Sequence, residues 1–392
     1  MDDPPVRGVR SLKAVFWSSL ALIAYTYLIY PLTVLVAASF SRRRDPAIPS
    51  DPELPTVSFI IAAYNEEKFL EEKIKDTLAI DYPREKLQII VVSDGSSDRT
   101  LQIAERYASR GVLSIHQPER KGKTAALNRA VLHATGEILS FSDANTFYNP
   151  LSLKMMVRHF EDPGIGGVSG LKEILPAEDR ISSLGDGLYW RYESAIKQAE
   201  STINSIVAAD GEIFAMRREL YRPIDETIIN DDAAITFNII RFGYRILYER
   251  EAVSREYASI TIADDFYVKV RMVAGGFQTM AFFARDLFPP RTLFAWQFLS
   301  HKVLRWLAPE FLLMALLSNV FLAKQLLYTA FLCLQLLFYC LAAVGHMESR
   351  SGRIWKGLYV PLYFTAMNLA ALLGLIRYLN RKQTTSWRRA KR

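Results

Sequence analysis

Four short polar clusters carry the side chains of this 392-residue sequence best suited to chemistry: Tyr64-Asn65-Glu66-Glu67, Asp94-Gly95-Ser96-Ser97-Asp98, Asp143-Ala144-Asn145 and Asn230-Asp231-Asp232. Carboxylates brought together repel one another and bind protons more tightly unless a cation or a hydrogen-bonding ligand stands between them. Their oxygens are the hard ligands that Mg2+ or Mn2+ prefers, and an Asn carbonyl adds one more without charge. A carboxylate with raised proton affinity is also suited to act as a general base. Each cluster alone could be a cap or a turn, the reading kept for Ser97 or Asp98. Asp231 and Asp232 could equally be helix-start acids favoured by the dipole.

The elements that would position the first three clusters are legible as alternating strands and helices. Unbroken β-branched runs predict buried parallel strands at Val57 to Ala63 (VSFIIAA) and Gln88 to Ser93 (QIIVVS), with a third strand at Ile138 to Ser142 (ILSFS). Helical spacing of Phe69, Leu70, Ile74 and Leu78 predicts a helix from Glu66 to Ala79, and another runs from Lys123 to Ala134. This order argues for an open α/β sheet, where ligands bind beyond the carboxyl ends of the strands. The three clusters stand just after those ends, so they converge on one crevice.

Composition bounds what surrounds this domain. Half of the residues are hydrophobic, 23% are charged and the mean hydropathy is +0.07, so the apolar residues are concentrated in blocks. Disordered, collagen-like and disulfide-scaffold chains are excluded by 12% aromatic residues, 19 Gly and only two Cys. Cys333 and Cys340 lie within one apolar run and read as core or lipid-facing residues. The net charge of +7 equals the seven basic residues between Arg377 and Arg392, a stretch without acids. This argues against a nucleic-acid surface and for a tail on anionic membrane lipids.

Three blocks are long enough to enter a bilayer, which needs about 20 apolar residues per helix. Ala14 to Phe40 is free of charge and is followed by Arg42, Arg43 and Arg44, which belong on the cytoplasmic side. A cleaved signal peptide fits less well, its apolar part being roughly 7 to 15 residues. Leu304 to Gly345 reads as a hairpin of two spans turning near Lys324, and Gly357 to Ile376 as a further apolar stretch interrupted by Pro361 and Asn368. Three spans after the domain would translocate the basic tail. Either the last stretch fails to cross or that translocation is tolerated. The expected organisation is an N-terminal anchor (1–44), an α/β domain (45–287), an interfacial helix (288–303), transmembrane helices (304–378) and a basic tail (379–392). His301, Lys302, Arg305 and Trp306 read as cationic and aromatic anchors at the interface.

The polar clusters, with their flanks, resemble the glycosyltransferase family 2 catalytic domain and its GT-A fold. The matching stretches are VSFIIAAYNEE (57–67), VVSDGSSDRT (91–100), RKGKTAALNRA (120–130), FSDANT (141–146) and NDDAAITFNIIRFGYRILYE (230–249), in order and across most of the domain. YWRYE (189–193), VRMVAGG (270–276) and SHKVLRWLAP (300–309) extend a looser resemblance to a membrane-embedded group that makes bacterial polysaccharides.

The resemblance implies that Tyr64, Glu66 and Asp94 line the nucleoside pocket, with Asp94 facing uracil and Glu66 the ribose. Lys123 is the matching basic residue near the nucleotide, or else a solvated helix-start lysine; Arg120 and Lys121 read as surface charges. Asp143 and Asn145 stand where the family writes Asp-x-Asp and would hold Mg2+ or Mn2+. Restoring the usual carboxylate by Asn145→Asp is therefore expected to be tolerated and to tighten Mn2+ dependence. Asp232, with Asp231 beside it, falls at the catalytic base. The family's Gln-x-x-Arg-Trp is absent in that form: Arg271 is the nearest match toward the diphosphate and Met272 stands for the tryptophan, which leaves processive or single-sugar transfer open.

The expected function is that of an inverting glycosyltransferase of the inner (plasma) membrane with a cytoplasmic catalytic domain. It would pass a sugar from a nucleotide-diphosphate donor, UDP-linked in the first instance, to a lipid-linked or growing saccharide. The alternative is a membrane scaffold or transporter whose soluble domain only binds nucleotide, although the apolar blocks hold little charge for an ion pathway. A Rossmann dehydrogenase fits less well still, because no G-x-G-x-x-G follows the first strand.

Overall fold

The computed structural model describes residues 4–41, 45–175, 182–257, 262–287, 292–349 and 355–381. The Arg42–Arg44 cluster and the basic tail beyond Arg381 lie outside the described residues. Among the described residues eight strands are formed: β1 (Val57–Ala63), β2 (Leu87–Asp94), β3 (Val112–Gln117), β4 (Ile138–Asp143), β5 (Thr146–Tyr148), β6 (Ile165–Leu175), β7 (Phe214–Arg217) and β8 (Arg245–Tyr257). They make one sheet in the order β3-β2-β1-β4-β7-β6-β8-β5. The β3-β2-β1-β4 half is parallel, β7 is antiparallel to both neighbours, and β5 pairs antiparallel with β8. The three strands expected from sequence are β1, β2 and β4.

Both faces of the parallel half are covered, which explains why its strands read as unbroken apolar runs. Phe59, Ile61, Ile89 and Val91 pack with Leu70 and Ile74 of the Leu70–Leu78 helix on one face. Ile60, Ile90, Val92, Leu139 and Phe141 pack with Ala126, Leu127 and Ala130 of the Lys123–Val131 helix on the other. Register sets Ala63 beside Ser93 and Ala62 beside Asp143, so the three polar clusters leave the sheet along one edge.

The helix expected from Glu66 begins instead at Leu70. Asn65 adopts a left-handed φ of 53°, and the backbone N–H groups of Glu66 and Glu67 donate to Thr100 Oγ1 at 2.8 Å and Asp98 Oδ2 at 3.1 Å. Those bonds hold residues 65–67 in a turn that the neighbouring cluster pins. Asp98 Oδ1 also accepts from Thr100 N at 3.0 Å, an Asx turn just before the next helix, whose N-cap is Arg99; of the two roles open to Asp98, cap or turn, it takes the turn.

Among the described residues three helices are long and apolar enough to cross a membrane: Gly8–Ser39, Leu326–Ser349 and Gly357–Leu379. The first contains a π-turn at Tyr25–Ile29 just before Pro31. Proline has no N–H for the carbonyl four residues back; that carbonyl, of Tyr27, accepts instead from Tyr192 Oη at 3.1 Å. Pro361 and Asn368 do not interrupt the last helix, which is continuous from Lys356 to Leu379, and Asn368 Nδ2 donates back to Phe364 O at 2.9 Å. The expected hairpin turns between Leu322 and Leu326, around Lys324. Its first arm, Ala308–Leu322, has only 15 residues and qualifies as a span only together with Leu293–Trp306, from which it is bent by 56°.

Candidate active site

A cavity of about 400 Å3 lies at the carboxyl ends of β1, β2 and β4, and all nine residues expected at the site line it: Tyr64, Glu66, Asp94, Lys123, Asp143, Asn145, Asp231, Asp232 and Arg271. At its outer end the Arg120 guanidinium lies 3.7 Å from the centre of the Tyr64 ring. Arg120 is therefore part of the cavity wall and not the detached surface charge expected. The loop that carries it passes close to Gly95, whose φ is +68°; a methyl group there would stand 2.7 Å from Arg120 N. Only glycine meets both demands.

Asp94 is buried, and its carboxylate accepts from Gly122 N at 2.6 Å, from Lys121 N at 3.2 Å and from Arg129 Nη2 at 2.8 Å. These bonds fix the turn into the Lys123–Val131 helix. Asp94 thus organises the wall as well as lining it, a structural duty that the family pattern does not convey.

Deeper in, Lys123 Nζ lies 2.6 Å from Asp143 Oδ1 and 3.9 Å from Asp231 Oδ2. Burial opposes its charge, but Asp143 and Asp231 outweigh that effect and hold its pKa above the usual lysine range. The alternative of a solvated helix-start lysine is thereby set aside. Asp231 and Asp232 open the Asp231–Arg241 helix after Asn230. Burial first, and then the neighbouring Asp231, push the Asp232 carboxyl up to about 7, while Lys123 works the other way. Asp232 Oδ1 accepts from Ala233 N at 2.7 Å, which fixes the side chain at the helix start. Gly211 closes the pocket here, since a methyl group at its position would stand 3.2 Å from Asp232 Cβ.

Arg271 comes from the Ile262–Phe282 helix. Burial lowers its proton affinity, while Asp231, Asp232 and Asp143 favour its charged form. Two contacts bring this helix in. Asn230 Nδ2 donates to Met272 O at 2.9 Å, and Gly276 allows Trp306 so close that a methyl group would meet Cη2 at 2.5 Å.

The wall of the cavity formed by Glu193, Lys302, Arg305 and Trp306 corrects one expectation. His301, Lys302 and Arg305 do not serve as lipid-facing anchors. His301 is fully buried, with Nδ1 2.8 Å from Glu200 Oε1 and Nε2 3.2 Å from Glu193 Oε2. Lys302 donates to Glu193 Oε1 and Arg305 to Glu193 Oε2, and Trp306 packs on Phe277 and Phe298. Three cationic or ionisable groups converge on Glu193, a buried acid of the YWRYE stretch, because its charge needs compensation away from water. Lys302, Arg305, Trp306 and Glu193 all line the cavity. The roles of His301, Lys302 and Arg305 were missed because Glu193 lies 108 to 112 residues away in sequence.

Among the described residues no group of three His, Cys, Asp or Glu gathers as a metal cage. Asp143 and Asn145 bring one carboxylate and one amide to the wall. This fits a cation that keeps diphosphate oxygens and water as its remaining ligands, the usual habit of Mg2+.

Residues 58–224 match the family described as Glycosyl transferase family 2. Poly-beta-1,6-N-acetyl-D-glucosamine synthase of Staphylococcus aureus (strain COL) is 26% identical over 254 residues, 64% of this chain and 60% of that protein. The synthase of the same name from Staphylococcus epidermidis is 26% identical over 238 residues, 59% of this chain and 57% of that one. The chain thus spans about 60% of the length of these relatives. A mannosyltransferase of Pyrobaculum calidifontis, solved in complex with GDP-Man and Mn2+, aligns with a TM-score of 0.72 at 25% identity, covering 95% of this chain and 100% of that one. Residues 58–224 thus carry a family 2 glycosyltransferase domain with a GT-A fold, related to exopolysaccharide synthases.

Proposed function

We propose that the chain transfers a sugar, with inversion, from a nucleotide-diphosphate donor to a saccharide or lipid-linked acceptor at the cytoplasmic face of the inner membrane. The observation that carries this reading is geometric: Asp231 and Asp232 open a helix into the cavity wall that holds the Lys123–Asp143 ion pair, and burial beside Asp231 raises the proton affinity of Asp232. Asp232 takes the proton of the acceptor hydroxyl as its oxygen bonds to the anomeric carbon of the donor sugar, and the bond from that carbon to the diphosphate breaks. Lys123 and Arg271 face the charge that collects on the leaving diphosphate. A divalent cation held by Asp143 and Asn145 would neutralise the same charge. Tyr64, Glu66 and Asp94 frame the nucleoside end.

The relation to poly-beta-1,6-N-acetyl-D-glucosamine synthases supports a growing polysaccharide as acceptor, and a UDP-linked donor is the first choice that the family resemblance implies. A second donor class, GDP-linked, is favoured by the GDP-Man complex of the mannosyltransferase. Incubating the purified full-length protein with UDP- and GDP-sugars and following nucleotide release separates the two. Release from neither class, with or without Mn2+, would overturn the reading.

A further inference from the structure

Asn145 departs from the family's second aspartate, and the wall around it contains a reason. Its side chain is buried, and Nδ2 donates to Glu256 Oε1 at 3.1 Å. Glu256, at the end of β8 and only 3% exposed, has its other oxygen 2.5 Å from Lys172 Nζ, and Lys172 reaches Glu212 Oε1 at 2.7 Å. The two ends of an amide differ: nitrogen only donates and oxygen only accepts. Because an ionised Glu256 presents acceptors alone, the NH2 end of Asn145 must face it. Oδ1 is then turned the other way, and no described residue donates to it.

We propose that Glu256 is a positioning residue that fixes the orientation of Asn145, so that Oδ1 and not Nδ2 is offered to the cation held with Asp143. Asn145 and Glu256 form a matched pair that replaces the usual second carboxylate. The proposal rests on the cation-dependent reading above. It also reverses the expectation that Asn145→Asp is tolerated. A carboxylate at 145 would face the Glu256 carboxylate across a buried contact, where the like charges repel and only uptake of a proton would relieve them.

The pair makes a distinctive prediction for Glu256→Gln. Glutamine has one acceptor end and one donor end, and the ammonium of Lys172 claims the acceptor. The introduced amide would then donate toward residue 145, turning the Asn145 amide over and presenting NH2 to the cation. Adding Asn145→Asp gives that donor an acceptor and restores an oxygen on the cavity side.

The test is a Mn2+ titration of the full-length protein in detergent with UDP, read by the electron paramagnetic resonance of free Mn2+, alongside thermal unfolding without metal. Loss of such an orienting partner typically weakens metal binding on the order of 10- to 100-fold, and that loss is expected for Glu256→Gln. Asn145→Asp alone is expected to lower the metal-free unfolding temperature and weaken Mn2+ binding, and the double variant to regain most of both losses. If the wild type binds Mn2+ and Glu256→Gln titrates like it, or the double variant is no better than the worse single, this proposal alone is overturned. A wild type that binds no Mn2+ with UDP overturns the cation reading and the proposal together.

Discussion

The ammonium of Lys123 sits 2.6 Å from Asp143 Oδ1, at the point where the expected cation-binding and base-bearing walls of the cavity meet. It also faces Asp231 and favours the ionised form of Asp232. Lys123→Met should therefore let Asp232 hold its proton more tightly, and the acidic limb of the kcat/KM profile should move to higher pH. Lys123→Arg, which keeps the charge, should hold the limb near its original place. A limb that stays put in Lys123→Met would show that the limiting group is not Asp232.

The same carboxyl sets a pH dependence of rate and of stability. With Asp232 pushed up to about 7, transfer should rise with pH through that value as the base becomes ionised. The unfolded chain loses this proton near the ordinary aspartate value of about 3.9. Between the two values the folded state binds more protons, so this group's contribution to stability should fall as pH rises from about 4 to about 7. Asp232→Asn should flatten that part of the thermal-stability profile, and an unchanged slope would refute the assignment.

Gly276→Ala tests how Arg271 is placed. The added methyl group would meet the Trp306 ring at 2.5 Å, and overpacking of this kind costs about 1 to 3 kcal/mol. Thermal unfolding should shift down and donor affinity weaken as the helix carrying Arg271 moves. Trp306→Leu in the same chain should recover part of both. Normal affinity in Gly276→Ala would mean that Arg271 does not depend on this contact.

Much of the site was legible because its signals are local. Strand ends expected at Ala63, Ser93 and Ser142 from unbroken apolar runs lie within one residue of those formed, at Ala63, Asp94 and Asp143, while the Asp98 turn follows from residue type and the turn at Lys324 from the length of its apolar run. What escaped depends on partners distant in sequence. The short β5 is placed beside β8 by pairing Thr146 with Glu256, which also delivers the Glu256 side chain to Asn145. Lys302 and Arg305 read as interfacial anchors because Glu193, their counter-ion, belongs to a different helix. Spacing reports which face a residue lies on, and says nothing of the charge waiting opposite.

The membrane part gives a fourth expectation. Deleting Met1 to Arg44 should leave the protein in the membrane fraction, held by the Leu326–Ser349 and Gly357–Leu379 helices. It should also lower thermal stability, because the deletion removes Tyr30, which is fully buried, donates to Glu200 and packs on Trp296. Two crossings after the domain would return the tail to the domain's side, and three would place it opposite. Cysteine labelling at Ser386 distinguishes them: labelling from the cytoplasm, as the charge rule favours, means that the bent Leu293–Trp306 and Ala308–Leu322 pair does not cross. Labelling only from outside would refute that topology.

The central claim is that Asp232 is the base for sugar transfer. The most direct measurement pairs donor-dependent nucleotide release with donor affinity in the wild type, Asp232→Asn and Asp231→Asn, using the donor class selected above and an acceptor saccharide. Asp232→Asn should bind donor as the wild type does and lose transfer on the order of 10²- to 10⁴-fold, since an amide keeps the shape but cannot take the proton. Full loss in Asp231→Asn with near-normal transfer in Asp232→Asn would contradict the account.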